Sequence, residues 1–498
     1  MYNYKRWFIL SIVSSALLLI TMDTTILYTA LPSLTYDLGA SASEKLWIIN
    51  GYSLVMAGLI PAMGTLGDRY GHKKIFSYGL VVFTAASLLA AFAPTPYVLV
   101  IARVLLAVGA SMMMPATLSI IRITFTDPRE LGLAIGVWAA IASGGAGLGP
   151  IVGGLLVEHY WWGAAFLVNV PIALLALGLT VTIVPNHEGN KDTKWDLISS
   201  VQIMIAMVAI VFAIKEFAKR EGSPALATVS AVIGVIGMII FIRRQRRSLN
   251  PLIDLSLFKI SLFTAGCITA VVGLFGQLGV QYVVTQRLQL VEGMSPLQAG
   301  FITVSVPAAA LIAGPIAGKM MHRYNVIHIK SLSLLLAALG TFIYILQFDA
   351  GVLGQIIGLA LMGIGLGASM TAASHSIMSS APPEKAGMAA SIEEVAYEVG
   401  GASGIAIVGS LSGLIYSLSM AVPQGLNVPG NVKDSLDEAL IAAEGLPAQA
   451  SEALKEAGRS AFDTSVFFVL IGLSVFFALS ALVVARVGAR SKAKAAAN

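Results

Sequence analysis

The chain has 498 residues, of which 57% are hydrophobic and only 11% charged, with a mean hydropathy of +0.84 and a formal net charge of +5. That balance excludes an ordinary soluble globular protein and fits a chain that crosses a membrane many times. The Lys and Arg residues are spread over separate short loops, so the positive charge does not point to nucleic acid, and the single Cys267 excludes an intrachain disulfide framework.

Apolar runs predict fourteen membrane helices, at about 8–29, 46–63, 75–93, 97–120, 131–157, 164–184, 197–214, 224–242, 261–285, 298–318, 330–348, 352–376, 387–418 and 464–486. The first follows Met1-Tyr-Asn-Tyr-Lys-Arg6 but is too long for a signal-peptide core and lacks an A-x-A site, so it reads as a retained helix. An even number of spans puts both chain ends on one face. Of the 31 Lys and Arg, 22 fall in loops on that face and eight on the other. The positive-inside rule therefore predicts cytoplasmic termini.

In the first span Asp23 stands in Thr21-Met-Asp-Thr-Thr25. A charged, unpaired carboxylate there costs several kcal/mol, so Asp23 should face water, take a proton or bond a neighbouring helix. The second span opens with Leu46-Trp-Ile-Ile-Asn-Gly-Tyr52. Trp47 reads as an interfacial belt residue, Asn50 is a neutral polar group one turn on, and Tyr52 is deep enough to offer a ring face to a cation. The next loop reads Gly64-Thr-Leu-Gly-Asp-Arg-Tyr-Gly-His-Lys-Lys74, with glycines that permit a tight turn and close helix approach. Arg103 lies inside the fourth span, where an arginine is either functional or a bridge to another helix. Of Met112, Met113 and Met114, which point around the helix, at most part can line a cavity. In the fifth span Gly136, Gly145, Gly149, Pro150, Gly153 and Gly154 carve a groove for another helix, and Pro150 bends it.

The second half contains Gly314-Pro-Ile-Ala-Gly-Lys319 and Arg323, a degenerate copy of the first-half loop that lacks its Asp-Arg pair. Three carboxylates, Glu393, Glu394 and Glu398, lie in the apolar stretch GMAASIEEVAYEVGG at 387–401. Glu394 and Glu398 are one helical turn apart and share a face. About 12 to 14 Å of helix separates Lys385, near the helix start, from the first two. Acids at that depth are functional by default, the bland alternative being that they solvate a polar cavity. Before the last span an outer loop at about 419–463 predicts two short amphipathic helices broken at Gly445-Leu-Pro447. Its acidic residues read as a solvated face, the alternative being that they gather cations near the exit. No nucleotide loop, nucleophile elbow or metal-ligand spacing is present, which argues against an enzyme.

The 64–74 loop resembles the cytoplasmic signature of the major facilitator superfamily. The glycine series of the fifth span resembles the antiporter motif of its drug exporters. The two spans inserted after position 184, the linker 250–258, Gly293-Met-Ser-Pro-Leu-Gln-Ala-Gly300, Thr21-Met-Asp23, Leu46-Trp-Ile and the acid cluster together resemble the fourteen-helix drug:proton antiporters of the quaternary-ammonium and methyl viologen type. The resemblance implies an all-α integral membrane protein of the major facilitator fold, with two pseudo-symmetric six-helix bundles and two inserted helices. The bundles would be 1–184 and 261–498, with 185–260 between them and an outer hairpin at about 419–463. Asp23, Glu393, Glu394 and Glu398 would couple protons and bind substrate, with Asn50, Tyr52 and Tyr397 in the cavity. Gly64, Asp68, Arg69, Gly71 and Lys73 would form a conformational latch. Arg103 would handle protons, and Gly136, Gly145, Gly149, Pro150 and Gly153 would be the antiporter motif. The implied activity is export of lipophilic cations driven by the proton gradient, without a cofactor, by a monomer in the bacterial cytoplasmic membrane. Export of an endogenous metabolite, lipid or siderophore is the first alternative, and a non-transporting sensor or scaffold of the same fold the second. Asn50 departs from relatives that often carry an aspartate there, which bears on divalent cations.

Overall fold

In a computed structural model, residues 2–187, 189, 196–218, 222–248, 251–321, 323–348, 351–382, 385–424, 426 and 428–497 are described, and no strand occurs among them. The helices are α1 (Tyr2–Leu38), α2 (Ala42–Tyr70), α3 (His72–Ala91), α4 (Pro96–Thr124), α5 (Pro128–His159), α6 (Ala164–Ile183), α7 (Leu197–Ala218), α8 (Pro224–Arg247), α9 (Ser261–Gln286), α10 (Pro296–Met320), α11 (Val326–Leu346), α12 (Val352–Ser380), α13 (Ala386–Ser419), α14 (Leu436–Glu444) and α15 (Ala448–Ala497). Thirteen are long and apolar enough to cross a membrane, and the 32-residue α5 covers the remaining expected span. Helix is what such runs must form in lipid, because each backbone N–H and C=O then finds its partner within the segment.

Local chemistry marks the helix ends. Ser41 and Glu44 form a capping box at the start of α2, Ser295 and Gln298 another at α10, and Thr95 caps α4 with Pro96 in its first turn. Between α2 and α3 the chain turns on Gly71, whose φ of +95° is open to glycine and strained for other residues.

The packing repeats. In the first half α1 lies along α5, α2 and α3 both lie along α4, and α3 meets α6. In the second half α9 lies along α13, α10 and α11 along α12, and α11 along α15. The halves meet where α2 packs on α13 and α5 on α10. The inserted pair α7–α8 lies against that seam: Ile203 and Met207 of α7 share a core with Leu54 and Ala57 of α2 and with Ala402 and Ala406 of α13.

The outer loop differs from expectation. The chain breaks at 445–447 as predicted, but the second hairpin helix does not end before the last span. It runs on as the 50-residue α15. The change from amphipathic to apolar pattern near Phe462 alters what the helix faces, not its backbone. Nor is the hairpin's acidic face wholly solvated, since Asp437 is buried. Among the predicted residues, Gly136 falls within α5 but outside the residues whose surroundings are described.

Candidate functional site

A cavity of about 520 Å³ lies between the halves. Ile60 and Pro61 of α2, Met114 of α4, Trp138 of α5 and Glu393 and Glu394 of α13 line it. Its mouth is formed by Asp68, Arg122 and Leu252, which belong to the face where both chain ends lie, here the terminal face. Glu393 is nearly buried and accepts a hydrogen bond from Tyr397 Oη at 2.8 Å, while Glu394 is half-buried. Glu398, one turn farther in, faces Ser53 of α2 and lies near Tyr28 and Tyr52. None of the three forms an ion pair among the described residues. The arrangement is an acidic wall facing sulfur and aromatic surface, whose chemistry suits positive charge and apolar faces alike.

Asp23 is placed differently from the other acids. It neither faces water nor stands alone. Arg103 donates to it at 2.5 Å and Asn169 Nδ2 at 2.9 Å, and Asp23 and Arg103 are each 1% exposed. Arg103 also donates to the Ile48 carbonyl at 3.2 Å and lies 4.4 Å from the Tyr52 ring centre. The cation on Tyr52 is thus the protein's own, not a ligand's. Taking two charges out of water requires this number of partners. The sequence places Asp23, Arg103 and Asn169 on three different helices, and the fold joins them into one unit. Asn50 of α2 is fully buried with neither polar side-chain atom bonded among the described residues.

The opposite face is closed. Lys45 of α2, buried, pairs with Asp437 of α14 and donates to Gln286 of α9 at 2.8 Å. Tyr36 donates to Glu444 at 3.0 Å, Gln289 to the Thr29 carbonyl at 3.1 Å, and Ser295 to Glu158 at 2.8 Å. A π-helical turn at 287–291 extends α9, and Arg287 within it pairs with Glu292 and, at 2.6 Å, with Asp463.

The 64–74 loop lies at the open mouth. Asp68 is exposed and pairs with His72 at 3.1 Å, and Arg69 stacks on Tyr70 at 5.5 Å, so neither bridges the halves in this state. Gly64 lines the cavity, Gly71 packs under the His187 carbonyl, and Lys73 donates to the Val181 carbonyl at 3.0 Å. In α5 the glycines are contact points. Gly145 faces Leu18 and Thr21, Gly149 faces Thr25, and Gly153 faces Ile26, all on α1. A Cβ at Gly154 would press on Leu297, and one at Gly300 on the backbone at Pro150, where α5 meets α10.

Sequence reasoning missed Asn169, Trp138 and the Lys45–Asp437 pair. Asn169 was visible as a lone amide in an apolar run. Trp138 carried no signal, because an aromatic in a membrane helix faces lipid as readily as a cavity.

The model of the Major Facilitator Superfamily matches residues 13–405 and 288–487, and the chain belongs to that family. It is a multi-pass membrane transporter of small molecules and not an enzyme. The chain is similar, at 38% identity over 462 residues, to the methyl viologen resistance protein SmvA of Salmonella typhimurium, with 92% of this chain and 93% of that protein covered. It is also 38% identical over 466 residues to the multidrug efflux pump LfrA of Mycolicibacterium smegmatis, with 93% and 92% covered. The resemblance drawn from the motifs is therefore borne out across nearly the whole chain. Among solved structures, a bacterial homolog of the human lysosomal transporter Spinster in an inward-facing, occupied conformation matches with a TM-score of 0.63 at 16% identity, covering 98% of each chain, which supports the fold.

Proposed function

We propose that the protein exports lipophilic organic cations from the cytoplasm in exchange for protons, by alternating access, as a monomer in the bacterial cytoplasmic membrane. The observation that carries this reading is the wall of Glu393 and Glu394, unpaired with any cation among the described residues, in a cavity shared with Trp138 and methionine sulfur. With the termini cytoplasmic, as the basic loops indicate, the cavity opens inward and the closed face is the outer one. An organic cation enters from the cytoplasm and neutralises a carboxylate. When the halves rock and the outer face opens, a proton takes that carboxylate and the cation leaves. Protonation and cation binding exclude one another at one group, which couples the two flows. Asp23 already holds Arg103, so its part is to set the position of α4 against α1, with the exchange left to α13. The names of the relatives, a methyl viologen resistance protein and a multidrug efflux pump, support cationic and varied cargo.

The test is ethidium efflux from proteoliposomes under an imposed proton gradient. Glu393→Gln/Glu394→Gln should abolish gradient-driven efflux while the protein elutes and melts as the parent does. Unchanged coupled efflux would refute the proposal.

A further inference from the structure

The second-half copy of the latch has lost its acidic residue but kept its basic ones. Lys319 lies in the last turn of α10 and Arg323 just after it on the terminal face, and His328 is in the first turn of α11; all three are exposed, and none is in an ion pair among the described residues. No Asp or Glu occurs between Gly293 and Phe348, nor anywhere in α12. Among the described residues no carboxylate pairs with Lys319 or Arg323, whereas in the first-half loop Asp68 pairs with His72. Directly beside them α10 and α11 pack along α12 rather than along each other, and the gap is a groove of about 580 Å³. Ile312, Ile316, Leu332 and Leu336 form its walls and Ile364 and Ala368 its floor, with Tyr324 and His328 at the lip on the terminal face. Ile312 and Leu332 are 67% and 64% exposed, so the groove is open sideways to the membrane. The volume is that of a small-ligand pocket.

We propose that this groove binds one anionic phospholipid of the terminal-face leaflet. One acyl chain lies between α10 and α11, and the phosphate is held by Lys319 and Arg323 with His328 as a further donor. The apolar length fits a molecule with a tail, and His328 at the lip with Lys319 and Arg323 close by in sequence favour a negative head. Basic pockets between membrane helices recognise lipid headgroups on this chemistry. Each full positive charge near the membrane surface contributes about fivefold to the affinity, so Lys319 and Arg323 together give about thirtyfold.

The experiment uses the full-length protein in nanodiscs of phosphatidylcholine containing graded phosphatidylglycerol of the same chain length. Hydrogen exchange follows the 316–332 backbone, and native mass spectrometry counts lipid retained on release. The expected result is one retained phosphatidylglycerol per protein and slowed exchange at 316–332 that phosphatidylcholine alone does not give. Lys319→Gln/Arg323→Gln should raise the phosphatidylglycerol needed for half-protection about thirtyfold, and Ala368→Leu, which fills the floor, should weaken retention with the charges intact. Equal retention of the two lipids by the parent protein overturns the proposal without recourse to a variant. Inorganic phosphate displacing the lipid at millimolar concentration would make the site one for a free anion. Displacement by ethidium would make it a cation entry route. Either result refutes the lipid assignment.

Discussion

Arg103→Met is the sharpest test of the unit around Asp23. The substitution keeps the apolar stem and removes the guanidinium, leaving Asp23 at 1% exposure with only the Asn169 amide. Removing one partner of a buried pair costs about 3–5 kcal/mol, because the remaining charge is neither solvated nor matched. At roughly 2–4 °C of melting temperature per kcal/mol for chains of a few hundred residues, the expected drop is on the order of 10 °C. Asp23→Asn/Arg103→Met removes both charges together. It should recover at least about 2 kcal/mol relative to Arg103→Met, since a neutral amide pair carries no stranded charge. Thermal unfolding of the purified variants in one detergent reads all four corners of the cycle. If the single effects sum to the double within about 0.5 kcal/mol, Asp23 and Arg103 are not coupled and the assignment of a structural pair is refuted.

Gly149→Ala would drive a Cβ into Thr25 of α1 and should lower stability by about 1–3 kcal/mol, with Thr25→Ala in the same chain restoring part of the loss. Lys45→Met leaves Asp437 buried and unpaired; limited proteolysis should then cut the 420–435 segment several-fold faster, and reversal of both charges should slow cleavage again. The linker offers a pH test. Lys385, bonded at 2.5 Å to Asp254, and the Ser256 N–H hold the Asp254 carboxyl down at about 2 against an ordinary 3.8. The clamp's stabilisation is thus fully present above about pH 4 and is lost as pH falls through 2. At its partial exposure it amounts to no more than about 1 kcal/mol. Hydrogen exchange at 251–260 should be flat between pH 5 and 8 once corrected for intrinsic rate, and faster in Asp254→Asn throughout that range.

The legible part of this molecule is what lipid forces on a sequence. Long apolar runs locate the helices, since backbone groups in a bilayer leave no other choice. Gly145, Gly149 and Gly153 announce a close helix contact because only small residues permit one. Glu393 and Glu394 stand out because acids are scarce at that depth. Pairing was not legible. Asp23 and Arg103 are 80 positions apart, and their union depends on how α1 and α4 cross. Lys45 reads as a loop charge near a helix start, yet α14 folds over it and buries it. The hairpin's continuity with the last span was hidden for a related reason: residue patterns report the environment of a helix, and α15 passes from one environment into another without a break.

That continuity has a mechanical meaning. At 1.5 Å per residue the 50 residues of α15 make a rod about 75 Å long, more than twice the roughly 30 Å of the hydrocarbon layer. A rod anchored by its middle in the membrane is a lever. Asp463, held by Arg287, lies on the arm that projects beyond the closed face, and the chain's end lies on the other. When the closed face opens, any tilt imposed near Asp463 swings the far end in the opposite sense, so a probe at the carboxyl terminus should report a gate on the other face of the membrane.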